Sequence, residues 1–394
     1  MQPFDIQPRT RFVFGTDTLD RLGDIAKQIG REHHHPIRRV LVVSDAGLID
    51  AGHFAHAIRL LQAGGLETSS FHDFAENPTS AMVDAGVRCA ADFKPDLLVG
   101  LGGGSSMDCC KGINFVYCCG GTIHDYAGVG KATTDLLPMI AIPTTAGTGS
   151  EAQSFALISD AETKTKMPCG DPRAAFRVAI LDPRLTLTQP ASVTALTGID
   201  AISHAIETYV TIRRNPMSVT YSKRAFGLLA KGFPKVLADP NDLDARSEMQ
   251  LGASFAGMAI ETSMLGAAHA TANPLTARHG IPHGQAVGLM LPAVIRMNGV
   301  QHSHWYAELL QETVDPEEPF PGGDGAHDRA ADRLADMVAD WVRQAGLATR
   351  LNELAIPSED IDLFSAEAMQ QWTGTFNPVP LDVDRVKQLY QGVA

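Results

Sequence analysis

The stretch "DLLVGLGGGSSMDCCK", residues 96–111, carries three structural signals in one short run. The apolar residues Leu97 to Leu101 read as a strand buried on both faces. Consecutive glycines then let the main chain turn and pass close to a ligand, because no Cβ blocks the approach. From Ser106 to Cys118 the apolar spacing is helical. A strand, a glycine turn and a helix make one unit of a parallel α/β sheet, and the first N–H groups of such a helix suit a phosphate. The glycines do not follow the G-x-G-x-x-G spacing, so on this stretch alone a plain tight turn fits equally well.

The same rhythm surrounds this stretch. "RRVLVVSD" (38–45), "LPMIAIPTT" (137–145) and "RVAILDP" (177–183) read as further buried strands, with a helix over 79–93 between them. "RTRFVFG" (9–15) reads as an edge strand or hairpin. A second small-residue run, "PTTAGTGSE" (143–151), also follows a strand and offers hydroxyls and N–H groups. Two such loops at the carboxyl ends of parallel strands are where nucleotides bind in open α/β sheets. Asp45, just after its strand, is placed to accept from an adenosine ribose and to repel a 2′-phosphate. That favours NAD(H) over NADP(H). The alternative role for Asp45 is a helix or turn cap.

Beyond Pro183 the texture changes. Ala, Leu, Met and Glu dominate, and amphipathic helical segments are expected over 220–238, 244–263, 284–297 and 328–345. The expected fold is therefore an α/β dinucleotide-binding domain over 1–185 and an all-helical domain over 186–394. Residues 314–328, "VDPEEPFPGGDGAHD", read as a surface loop, as does the run His33–His35.

The composition narrows the class. A net charge of −13 disfavours nucleic acid and anionic membrane surfaces as partners. No run is apolar enough for a membrane span and "MQPFDIQPRTRF" lacks a signal-peptide core, so a cytoplasmic enzyme is expected. The six cysteines lack zinc-type spacing and read as small buried packing residues.

In the helical half, "GIDAISHAIETY" (198–209) sets Asp200 and His204 one turn apart on an otherwise apolar helix. An unpaired carboxylate there is costly. Downstream, "HATANPLTARHGIPHG" (269–284) supplies His269 in an Ala-rich helix and His283 at a helix start. One oxygen and three imidazoles suit ferrous iron or zinc, with room for a substrate oxygen. Each histidine taken singly also fits a hydrogen-bonded core residue.

Taken in order, "ENPT" (76–79), "GGGSSMDCCK" (102–111), "PTTAGTGSE" (143–151), "LDP" (181–183), "TGIDAISHAIETYV" (197–210), "HATANPLTARHGIPHG" (269–284) and "NPVPLDVDRVKQLY" (377–390) resemble the iron-containing (group III) alcohol dehydrogenases over almost the full chain. The resemblance implies the two-domain architecture shared with dehydroquinate synthase, and Asp200, His204, His269 and His283 as ligands of a divalent metal, Fe2+ first and Zn2+ as the alternative. It also implies cofactor contacts from Asp45, Asn77, Gly103, Gly104, Ser105, Ser106, Asp108, Thr144, Thr145, Gly147, Thr148 and Lys166, and often a homodimer.

One position departs from the pattern. Asn273 stands where many members carry a histidine near the metal, so the proton-transfer role of that histidine does not carry over; His279 is nearby as a candidate substitute, with a packing or solvent-facing role as the equal alternative. The expected reaction is hydride transfer between a small alcohol or aldehyde and NAD(H). Two rivals share features with it. A dehydroquinate synthase-like lyase would need a basic cluster, whereas Ile260, Met264, Leu265, Ala267 and Ala268 are small or apolar. A maleylacetate reductase or hydroxyacid–oxoacid transhydrogenase is the second, and the former is not expected to keep all four ligands.

Overall fold

A computed structural model of the chain describes residues 4–32, 35–163, 165–313 and 329–394. His33, His34 and the expected loop 314–328 lie outside the described residues. The chain divides into two compact units, one of Ile6–Thr145 and Gly149–Gln189, the other mainly of Pro190–Ala394 with Ala146–Thr148.

The first unit is built on β1 (Arg11–Phe14), β2 (Arg39–Ser44), β3 (Glu67–Phe71), β4 (Leu97–Gly102), β6 (Met139–Pro143) and β9 (Val178–Leu181), with β5 (Gly128–Val129), β7 (Phe155–Ser159) and β8 (Lys166–Gly170) in a smaller sheet. The six-stranded sheet runs β1-β9-β6-β4-β2-β3, and every pairing in it is parallel. Its four middle strands are the ones read from sequence. They are apolar runs because helices cover both faces of a parallel sheet, and Val40, Val42, Leu97, Val99, Ile140, Ile142 and Ile180 are all buried. β1 pairs with β9 in parallel at one edge, so the N-terminal segment is an edge strand and not a hairpin. β3, "ETSSF", went unread, because an edge strand with only Phe71 buried has no apolar pattern. The smaller sheet, in which β7 and β8 are antiparallel, also went unread.

Helices α1 (Leu22–Glu32), α2 (Ala46–Asp50), α3 (His53–Ala63), α4 (Ser80–Phe93) and α5 (Gly104–Cys119) connect the strands. Thr79 caps α4 by accepting from the Met82 N–H, which fixes where that helix starts. Helix α5 is buried from Ser106 to Val116, and starts two residues earlier than the spacing predicts. All six cysteines are free thiols; Cys109, Cys110 and Cys169 are buried as packing residues, while Cys89, Cys118 and Cys119 are partly exposed. Burial pushes the Cys110 thiol up to about 12.

The second unit holds α6 (Ala191–Val210), α7 (Pro216–Ala238), α8 (Leu243–Thr262), α9 (Ala267–His279), α10 (His283–Leu310), α11 (Ala330–Gln344), α12 (Ile361–Ala368) and α13 (Val383–Gln391). Helix α6 is buried all round from Gly198 to Val210, with Ile199, Ile202 and Ile206 in one core with Phe226, Phe233, Val287 and Leu291. A helix buried on every side must also bury its polar residues, so Asp200, His204 and Glu207 are all interior. Among the described residues no helix is long and apolar enough to cross a membrane.

Candidate active site

The first unit gathers its candidate cofactor residues at the carboxyl ends of β2, β4 and β6. Gly102 ends β4 with φ +143, and a Cβ on it would lie 2.2 Å from Ser106 Oγ and 2.9 Å from Asp45 Oδ2. The glycine therefore makes the space in which Ser106 donates to Asp45, at 3.3 Å. Asp45 precedes α2 but its side chain makes no cap; it faces the glycine loop instead. The Asn77 N–H, in a residue held at φ +55, donates to Ser105 Oγ at 3.2 Å. The Thr144 N–H donates to the Gly102 carbonyl at 3.0 Å, and Thr145 lies beside Gly103. Gly103 and Gly104 open α5, whose first N–H groups have no partner within the helix. Asp45, Asn77, Gly103 to Ser106, Thr144 and Thr145 thus form one main-chain-rich surface suited to an anion and a ribose.

Asp108 differs from these. Its carboxylate is buried, accepts from Ser150 Oγ at 2.6 Å, and lies 4.0 Å from the Lys111 ammonium. Burial pushes its carboxyl up, against the pull of Lys111 and Ser150. Its side chain binds the second loop to α5. Lys166 opens β8 and acts electrostatically on Asp108. Gly147 and Thr148 count with the helical unit.

In the helical unit four side chains converge. Asp200 Oδ1 lies 3.4 Å from His204 Nε2, 3.5 Å from His269 Nε2 and 3.8 Å from His283 Nε2. His204 Nε2 and His269 Nε2 are 3.1 Å apart. Donor atoms of Asp200, His269 and His283 all lie within 4.8 Å of one another. Helix geometry explains the convergence: Asp200 and His204 share a stripe of α6, His269 sits in the first turn of α9, and His283 starts α10.

The donor set fits a cation. Asp200 Oδ1 is buried with no hydrogen-bond partner, although a buried carboxylate oxygen ordinarily has one. Ligand atoms about 2.0–2.2 Å from one centre stand about 3–3.7 Å apart, close to the spacings here. Glu207, which the sequence reading passed over, lies one turn beyond His204 on the same helix. It is buried, accepts from His269 Nδ1 at 2.5 Å and from the Ala268 N–H at 2.7 Å. The spacing of four and then three from Asp200 through His204 to Glu207 was the signal that identifies it.

Electrostatics agree. Burial alone raises the Asp200 carboxyl, but His204, His269 and His283 hold it well below the usual carboxylate range. Burial lowers His269, yet Glu207 and Asp200 together lift it to about 9. The two flanking carboxylates call for positive charge at this point, which a proton or a cation supplies. Burial is the main cause that lowers His204.

His279 makes its contacts with residues other than the four ligands. It is the last residue of α9, ten residues and so about 15 Å along the helix from His269. Its Nε2 lies 3.4 Å from Asp360 and its ring meets Phe364 edge-on. These contacts with Asp360 and Phe364 favour the packing role for His279 over a proton relay. Asn273, one turn beyond His269, donates through Nδ2 to Gln371 Oε1 at 2.9 Å.

Comparison with known proteins follows the same division. Residues 8–183 match the family model described as iron-containing alcohol dehydrogenase, and residues 194–394 match the C-terminal model of the Fe-containing alcohol dehydrogenase family. The chain is 32% identical over 392 residues to the NAD-dependent methanol dehydrogenase of Bacillus methanolicus, covering 99% of each. It is 30% identical over 373 residues to the 1,3-propanediol dehydrogenase of Citrobacter freundii, covering 94% of this chain and 93% of that one. Among solved structures, a crystal structure of a 1,3-propanediol oxidoreductase superposes with a TM-score of 0.94 at 28% identity, covering 100% of both chains.

Proposed function

The chain belongs to the iron-containing alcohol dehydrogenase family, and on that premise we propose that Asp200, His204, His269 and His283 hold its divalent cation while the loops around Gly103 and Thr144 hold NAD(H). Its reaction interconverts an alcohol and the corresponding carbonyl compound. When bound, the cation acidifies an alcohol hydroxyl or polarises a carbonyl, and the nicotinamide takes or gives the hydride. The observation that carries the reading is the convergence of one buried carboxylate oxygen with three imidazole nitrogens, those of His204 and His269 buried and that of His283 partly exposed.

The chain's own residues do the rest. Asp200 supplies negative charge, which favours a divalent cation over a proton among the imidazoles. Ala267 and Ala268, which precede His269 in the first turn of α9, are buried, as are Ile260 and Met264 just before them in the chain; their small or apolar character supports a short, uncharged substrate. Gly102 to Ser106 present N–H and hydroxyl groups to a pyrophosphate. Asp45 accepts from a ribose hydroxyl and repels a 2′-phosphate, which supports NAD(H) over NADP(H). The Asn273 amide carries no exchangeable acid function, so it orients its neighbours and does not relay a proton.

Fe2+ is the proposed metal, with the same donors open to Zn2+. The six free thiols suit a reducing, cytoplasmic compartment. A homodimer is proposed with β1, one of the two edge strands of the six-stranded sheet, at the interface. The test follows NADH absorbance over short alcohols, diols and aldehydes, using enzyme stripped by chelator and reloaded with Fe(II) or Zn(II). Turnover should vanish on stripping and return on reloading; undiminished turnover by stripped enzyme overturns the reading. Light scattering on the same sample reads the dimer.

A further inference from the structure

Glu207 sits at the junction of two hydrogen bonds of different kinds. Its Oε1 accepts from the Ala268 main-chain N–H at 2.7 Å, and its Oε2 accepts from His269 Nδ1 at 2.5 Å. Both Glu207 and His269 are buried, so water does not compete for either bond. The rest of the pocket is shaped around the carboxylate. Gly266 precedes α9, and a Cβ there would stand 3.1 Å from Glu207 Oε1 and 3.1 Å from Asn377 Oδ1. Asn377 in turn accepts from the Ala267 N–H at 3.3 Å and from Asn298 Nδ2 at 3.0 Å. The first turn of α9 is thereby held by Glu207 and Asn377 together, and His269 is carried on that turn.

We propose that Glu207 is a positioning residue that fixes the tautomer of His269, keeping the proton on Nδ1 so that Nε2, 3.5 Å from Asp200 Oδ1, would offer its lone pair to a cation. The inference rests on the metal reading above and goes beyond it by naming the group that makes His269 a ligand. A carboxylate only accepts, so it requires a proton on Nδ1; a neutral imidazole with its proton there has a bare Nε2. An outer carboxylate of this kind orients a ligating histidine and raises its basicity.

The two bonds predict an unusual order of effects. In Glu207→Gln one oxygen and one amino group must meet two partners. The Ala268 N–H is a donor in every state, so the amide oxygen is drawn to it. The amino group then faces His269 Nδ1, which can oblige only by becoming an acceptor and moving its proton to Nε2. The near-isosteric Gln therefore blocks coordination, whereas Glu207→Ala leaves the imidazole free to choose. A purely structural Glu207 gives the opposite order, since Gln preserves volume and Ala leaves a cavity.

The experiment measures zinc affinity of chelator-stripped protein by competition with a chromophoric chelator, for the native chain, Glu207→Gln, Glu207→Ala and Glu207→Asp, with thermal melts of each. The expectation is a loss of about 100-fold for Gln and about 10-fold for Ala, in line with known effects of outer-sphere partners, with Asp between native and Gln because it keeps the charge at shorter reach. Histidine-selective 15N spectra of the stripped proteins, taken above the His269 pKa of about 9 so that the ring is neutral, give a second readout: His269 carries its proton on Nδ1 in the native chain and on Nε2 in Glu207→Gln. Gln binding zinc as tightly as the native chain, or more tightly than Ala with His269 still protonated on Nδ1, overturns the inference. If the Gln chain melts early, its 15N spectrum at low temperature decides. A native chain that binds no zinc or iron sinks the metal reading itself, a result distinct from equal affinity among the variants.

Discussion

The two candidate regions solve the problem of binding in different materials. In the α/β unit the surface at the ends of β2, β4 and β6 is mostly main chain: the Gly102 carbonyl takes the Thr144 N–H, the Asn77 N–H reaches Ser105, and the first turn of α5 is left open. In the helical unit the site is all side chain: Asp200, His204, His269 and His283, with Glu207 behind them. A pyrophosphate spreads its charge over many oxygens and is held by many weak main-chain donors. A divalent ion concentrates its charge and is held by a few strong side-chain donors. The first kind of site should therefore resist side-chain truncation and fail on backbone change, and the second should fail on one side chain.

The largest expected effect attacks the second half of that contrast. Asp200→Asn keeps the volume but removes the charge, so metal content should fall below a tenth of native and turnover by on the order of 10³-fold. Elemental analysis and NADH-linked rates check it. Normal metal content in that variant breaks the comparison.

Gly102→Ala tests the first half. The φ of +143 and the 2.2 Å approach of Ser106 Oγ should cost about 2–3 kcal/mol of stability and weaken NADH binding at least tenfold. Ser106→Ala, which removes only a hydroxyl, should weaken NADH binding by less than about fivefold. Urea unfolding and NADH fluorescence titration measure both. The reverse order would mean that side chains, not backbone, make that surface.

A smaller effect separates structural carboxylates from functional ones within the α/β unit. Asp171 accepts from the Ala132 N–H at 3.1 Å and from Arg173 Nε at 2.9 Å. Burial raises its carboxyl, but the bonds from Arg173 and Ala132 outweigh it and hold it below the usual range. A carboxyl with a lower folded than unfolded pKa stabilises the fold fully above the unfolded value, near 3.9, and loses that contribution as pH falls through the folded value. The stability gap between the native chain and Asp171→Asn should be about 1 kcal/mol at pH 6–8 and shrink below about pH 4. A gap that widens in acid contradicts this. The smallest effect is His279→Ala: with its ring against Phe364 and Asp360, turnover should change less than about twofold.

What the sequence discloses follows the same contrast. The middle strands are legible because burial on both faces makes them apolar runs, as in "RVLVVS" and "MIAIP". β3 is not, because its alternate residues face no core. Single residues such as Asp200 and His204 stand out in the helical unit because charge on an apolar helix needs a reason. Glu207 did not stand out, since a glutamate near the end of a helix is ordinarily a surface residue; only its register with Asp200 and His204 marks it as interior. Asp108 was legible as part of the loop but not in its direction, because sequence does not say that its carboxylate turns toward Ser150. The contacts of His279 were not legible, because Asp360 and Phe364 are distant from it in sequence.

The most direct measurement is X-ray diffraction from crystals of the purified, unstripped chain, with data on both sides of the iron and zinc absorption edges. A single anomalous peak coordinated at about 2.0–2.3 Å by Asp200, His204, His269 and His283 is the predicted outcome. A site left vacant in catalytically active crystals, or a metal bound by other residues, contradicts the account.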